Sequence, residues 1–104
     1  MSNITDIILL VNINNESEKR KIKFINFYLL SESHQPLEKS TANGGEKVFT
    51  GSIYQASFNC FDIPKFLEQV EINFNGDDDA FQVLAREEDL YHFKIVGEKI
   101  PKWI

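Results

Sequence analysis

Apolar residues recur at every second position in several stretches of this chain. Ile7, Leu9, Val11 and Ile13 alternate, while Ile4, Ile8 and Leu10 partly fill the opposite parity. A strand that is apolar on both faces is usually central in its sheet, so a central strand is predicted here. Asn14-Asn15-Glu16-Ser17 supplies turn chemistry. Arg20 to Leu30 then reads as a second strand. Its apolar parity changes from Ile22 and Phe24 to Ile25, Phe27 and Leu29, which a β-bulge near Phe24 would reconcile. These two strands are predicted to form a hairpin.

Ser31 to Gly45 is polar, contains Pro36 and a glycine pair, and is the longest loop candidate. Lys47 to Phe61 is the next strand region. Tyr54, Ala56, Phe58 and Cys60 alternate there with polar residues, which places Cys60 in the core as a buried thiol. Asp62-Ile63-Pro64-Lys65 has the signature of a helix start, with Asp62 as cap and Pro64 in the first turn. Phe66, Leu67 and Val70 fall on one face of that helix, and Ile72 and Phe74 suggest a short strand after it. Phe81, Val83 and Ala85 alternate, as do Tyr91, Phe93 and Ile95, with Glu87-Glu88-Asp89 as the turn between them. A helix from Asp79 to Leu90 is the rival, but Glu88 and Asp89 at its end would oppose the helix dipole. The predicted fold is mainly β, an antiparallel β-sandwich or half-open barrel with one short α-helix near Pro64 to Val70.

The length of 104 residues predicts a single globular domain, residues 1–104. A hydrophobic fraction of 42% with nine Phe argues for a folded core and against a disordered acidic tail. Cys60 is the one cysteine, so an intrachain disulfide is excluded. The apolar run Ile7 to Val11 has no basic residue before it and is too short for a signal-peptide core, which leads to the expectation of a cytoplasmic, soluble protein that does not engage a membrane.

The net charge of −5 is unevenly placed. Residues 62–89 hold nine acids and two bases, a net of −7, whereas residues 1–61 balance six against six. Such asymmetry bears on partners and solubility, not on fold. The acidic run does not make a calcium loop. Asn73, Asn75, Asp77 and Asp79 alternate as ligands should, but Asp78 and Leu84 stand where glycine and glutamate are needed. Consecutive loop carboxylates lack the pocket that acid–base catalysis requires. Neither His34 nor His92 is placed near Cys60 by the sequence. Asn43-Gly44-Gly45-Glu46-Lys47 precedes a strand, not the helix a phosphate loop needs, so a turn is the simpler reading. Lys19, Lys21 and Lys23 would share one face of a strand and protect its edge. No catalytic, cofactor-binding or metal-ligating residue is singled out, and the expectation is a protein without enzymatic activity or cofactor.

The remaining reading is a surface for a basic protein partner, with no direct contact to nucleic acid. Carboxylates steer association and set register, while aromatic side chains anchor. Asp77, Asp78 and Asp79 sit beside Phe81; Glu87, Glu88 and Asp89 sit just before Tyr91 and His92. Trp103, near the end of the chain, either docks that end on the core or adds an anchor. These ten residues are the candidate partner-binding set. A short, acidic, β-rich chain carrying Asp77-Asp78-Asp79 and Glu87-Glu88-Asp89 resembles the small immunity proteins of bacterial contact-dependent inhibition and polymorphic toxin systems. The resemblance implies a non-enzymatic inhibitor that covers the active site of a cognate toxin, often a nuclease. Two alternatives stay open. One is a small ligand-binding barrel or enzyme whose Ser31 to Gly45 loop closes over Tyr28, Tyr54 or Phe58. The other is a structural subunit assembling through a sheet edge.

Overall fold

The computed structural model describes residues 4–11, 17–40, 52–88 and 90–100. In chain order the elements are β1 (Ile4–Val11), α1 (Ser17–Ser31), β2 (Glu38–Ser40), β3 (Ser52–Asn59), α2 (Ile63–Asn73), β4 (Phe81–Glu87) and β5 (Lys94–Lys99). The five strands form one sheet in the order β2-β3-β1-β4-β5, and every neighbouring pair is antiparallel. The mainly β, antiparallel prediction holds. The sheet is open, however, not closed or doubled into a sandwich, and two helices cover one of its faces where the sequence predicted one.

β1 is central, as its two apolar faces require. Ile7, Leu9 and Val11 are buried under the helices, and Ile4, Ile8 and Leu10 are half-buried on the other face. The core side of the sheet also carries Tyr54, Phe58, Phe81, Val83 and Ala85, which meet Ile22, Ile25 and Leu29 of α1 and Phe66 and Val70 of α2. Gly97 on β5 lets Leu67 come close, since a Cβ there would stand 2.5 Å from a Leu67 methyl.

The segment predicted as a second strand is α1, so the bulge near Phe24 and the hairpin with β1 do not form. Its parity change is the trace of helical spacing. Glu18, Ile22, Ile25 and Leu29 recur at intervals of four, three and four, and all are buried. The helix ends in a Schellman motif: Ser33 N–H donates to Leu30 O at 3.1 Å and His34 N–H to Leu29 O at 2.8 Å. Ser33 takes the left-handed position with φ 63°. The predicted loop from Ser31 therefore begins as a helix cap. It continues through buried Leu37, whose N–H donates to Asn26 Oδ1, into β2; residues 41–45 lie outside the described residues.

α2 forms where predicted. The Asp62 carboxylate accepts from Lys65 N–H at 3.1 Å, and Pro64 sits in the first turn. Ile72 and Phe74 are not a strand: Ile72 is the exposed penultimate residue of α2, and Phe74 caps the helix and is buried. Cys60 is not a core thiol either. β3 ends at Asn59, and Cys60 turns outward with φ 49°. The β4–β5 hairpin forms and the rival helix does not. β5 starts only at Lys94, and a register shift at Val83/Leu84 leaves Ile95 exposed and Val96 packed against the core.

Candidate functional site

The acidic clusters stand at the two ends of β4. Six strand residues, 81–86, separate them, a span of roughly 20 Å at about 3.3 Å per residue. The first cluster divides. Asp77 and Asp78 are exposed in the turn between α2 and β4, whereas Asp79 is buried. Lys21 donates to the Asp79 carboxylate at 2.7 Å, and Gly76 N–H donates to the same oxygen at 2.9 Å. Lys99 donates to the carbonyls of Gly76 and Asp79 at 2.6 and 2.8 Å. Burial pushes the Asp79 carboxyl up, but the hydrogen bonds from Lys21 and Gly76 and the charges of Lys21 and Lys99 prevail and hold it below the ordinary carboxylate value. Asp79 thus ties α1, the α2–β4 turn and β5 together. Phe81 is buried beside Phe74. Asp79 and Phe81, expected at the surface as partner contacts, are instead buried within the chain.

In the second cluster Glu87 and Glu88 are exposed. Glu87 ends β4, Glu88 follows, and Leu90 N–H donates back to Glu87 O at 2.9 Å. The turn projects Leu90, Tyr91 and His92 outward; Tyr91 is 92% exposed. Asp89 and Trp103 lie outside the described residues.

Beneath this tip is a polar row that sequence reasoning missed. Arg86 donates through Nε and Nη2 to one Asp6 oxygen, at 3.2 and 2.7 Å, across the Asp6–Arg86 strand pair. Ser57 on β3 donates to the other Asp6 oxygen. The Ser57 and Arg86 hydrogen bonds, with the charge of Arg86 and against the effect of burial, lower the Asp6 pKa. The Arg86 guanidinium also lies over the Phe93 ring, 4.7 Å from its centroid. Asp6 and Arg86 join Ile4, Glu88, Leu90 and Tyr91 around a shallow cleft of about 480 Å³. The available signal was Arg86 itself, the one base between Lys65 and Lys94 in an otherwise acidic stretch.

A second cleft, of about 610 Å³, lies where α1 ends and α2 begins. It brings His34 and Cys60 together with Tyr28, Glu32, Asp62 and Lys65, a grouping the sequence did not reveal. The His34 ring sits edge-on to Phe58 and Phe61, at 5.3 and 5.1 Å between centroids. Burial and the nearby Glu32, Asp62 and Glu68 carboxylates raise the Tyr28 pKa. Of the aromatics expected to line a ligand cavity, Tyr28 and Phe58 border this cleft, while Tyr54 is in the closed core, donating to Glu18 at 2.8 Å. Among the described residues no three His, Cys, Asp or Glu side chains are grouped to hold a metal, and no helix is long and apolar enough to cross a membrane. No known protein family, curated protein or solved structure matches this chain.

Proposed function

We propose that this chain is a non-enzymatic binding protein that neutralises a basic protein partner, with a toxin nuclease as the class its sequence resemblance suggests. The observation that carries the reading is Tyr91, 92% exposed, three residues past Glu88 and next to the turn that Leu90 N–H closes on Glu87 O. A tyrosine holds large contact area on two rotatable bonds, so ordering it on a partner costs little entropy. The carboxylates beside it match the Lys and Arg stripes that nucleases present to phosphate. Asp77 and Asp78 extend the same charge to the other end of β4. Charge brings the partner in and sets its register, and Tyr91 with Leu90 enters the cleft it covers.

The test is affinity capture from source cells with the wild-type chain, with Tyr91→Ala, and with Glu87→Gln/Glu88→Gln. One basic partner is expected. Tyr91→Ala is expected to weaken it roughly 30-fold, the effect of an anchor worth about 2 kcal/mol. The double charge variant should lower the association rate and flatten its salt dependence. Recovery of no basic protein, or equal affinity and salt dependence for all three chains, defeats the proposal.

A second reading rests on the His34–Cys60 cleft, whose size suits a small ligand. His34→Ala and Cys60→Ser separate the two. If the docking reading is right, both variants bind the captured partner as the wild type does.

A further inference from the structure

Both helices pack on one face of the sheet, and no helix or strand of the described residues lies on the other. Strand register sorts that second face into rows. Ile53 and Leu10 stand side by side in one row, which ends on β5 with Gln82 and Glu98. Ile8, Leu84 and Ile95 stand side by side in the next, which ends on β2 with Glu38. The Asp6–Arg86 pair forms the third. A solvated face of an antiparallel sheet is normally polar. This one is apolar at its centre: Ile8, Leu10, Ile53 and Leu84 are half-buried, and Ile95 is 57% exposed.

Apolar side chains left open together mark an interaction surface, and an apolar centre with a polar rim is the anatomy of a protein interface. The face is also dished. Ile8, Pro36, Phe93 and the Asp6–Arg86 pair border a cleft of about 400 Å³, and the same pair borders the Tyr91 cleft, so the two adjoin. Charge selects the occupant. Asp6, Glu38, Glu88 and Glu98 set four carboxylates on this face and its rim against one guanidinium, Arg86, a net of −3 among the described residues. Asp6 is matched by Arg86, whereas neither Glu38 nor Glu98 forms an ion pair there. Gln82 donates to Glu98 at 3.2 Å, which positions the carboxylate and leaves its charge uncompensated. A second copy of this chain would bring the same negative face against it, and nucleic acid or anionic lipid would be repelled likewise. A cationic protein surface is attracted.

We propose that the open sheet face is a docking surface for a basic protein, which seats aliphatic side chains over Ile8, Leu84 and Ile95 and sets Lys or Arg against Glu38 and Glu98. The inference rests on the reading of the partner as basic. It extends the contact from Tyr91 across β4, β1 and β3, on the side of the sheet away from the helices.

Methyl NMR with the captured basic partner tests this. The methyl signals of Ile8, Leu10, Ile53, Leu84 and Ile95 are expected to shift on binding, while those of Leu30, on the outward side of α1, stay in place. Ile95→Lys and, independently, Glu38→Lys/Glu98→Lys should weaken the complex at least tenfold, with unchanged circular dichroism because all three side chains are exposed. Phe24→Ser, on α1, should bind as the wild type does. Unshifted face methyls, wild-type affinity in the Ile95 and double Glu variants, or equal weakening by Phe24→Ser would overturn the proposal; a loss confined to Tyr91→Ala would leave the anchor reading standing without it. If capture recovers no basic protein, that reading fails and an alternating Lys–Leu hexapeptide becomes the probe. Saturable shifts confined to the five face methyls, and absent with the Glu–Leu peptide, then uphold the surface. No shifts, shifts elsewhere, or equal shifts with both peptides overturn it.

Discussion

Lys21 and Asp79, 58 positions apart in the chain, meet at 2.7 Å with side chains only 18% and 7% exposed. The pair joins the first helix to the turn that launches β4. Removing the carboxylate leaves both the largely buried Lys21 ammonium and the Gly76 N–H without their shared acceptor, while Lys99 still bonds the backbone carbonyls of the turn.

Asp79→Ala is therefore expected to destabilise the fold by about 2–3 kcal/mol, from the loss of a charged hydrogen bond and the desolvation of Lys21. Asp78→Asn, one residue earlier and exposed, should change stability by less than about 0.5 kcal/mol. Urea denaturation of the two variants measures both. Equal effects would mean that Asp79 carries no special share of the structure.

Acid should weaken the protein through the same residue. Asp79 and Asp6 both titrate below the ordinary value of 3.8 in the folded chain. A carboxyl with a depressed folded pKa contributes stability above its unfolded pKa and loses it as pH falls toward the folded one. The urea midpoint should hold from neutral pH down to the region of 3.8 and fall below it, and Asp79→Asn should make that fall shallower. A midpoint that rises on acidification contradicts the assignment.

Ser33 occupies the left-handed C-terminal position of α1 that glycine usually fills, with φ 63°. An L-residue there costs roughly 1–2 kcal/mol, partly offset by the smaller unfolded-state entropy of serine. Ser33→Gly should stabilise the protein by about 0.5–1 kcal/mol, read from the thermal or urea midpoint, while Ser33→Val should destabilise it. A destabilising glycine would show that the serine side chain makes a compensating contact.

Local chemistry determined several elements. Apolar residues on both parities placed Ile4–Val11 at the centre of a sheet, because only a strand with neighbours and cover can bury both. Asp62 and Pro64 marked the start of α2, since the cap supplies an acceptor for a first-turn N–H, and a proline in that turn lacks only an N–H that would have no partner within the helix. Alternation in Phe81, Val83 and Ala85, with an acidic turn after it, marked the last hairpin and put Tyr91 beside carboxylates. Tertiary structure decided the rest. Ile22, Ile25 and Leu29 fit either a bulged strand or one face of a helix. β3 and β4 occupy both edges of β1, so no edge of β1 remains for that segment to pair with as a strand. Three consecutive aspartates look alike in sequence, yet Asp79 alone of the three turns inward to Lys21, because the turn at Gly76 aims it there. Cys60 shares the parity of Phe58, but the backbone leaves the strand at Asn59, and parity has no meaning beyond the last ladder residue. The Asp6–Arg86–Ser57 row depends on the register of three strands, which is a property of the whole sheet.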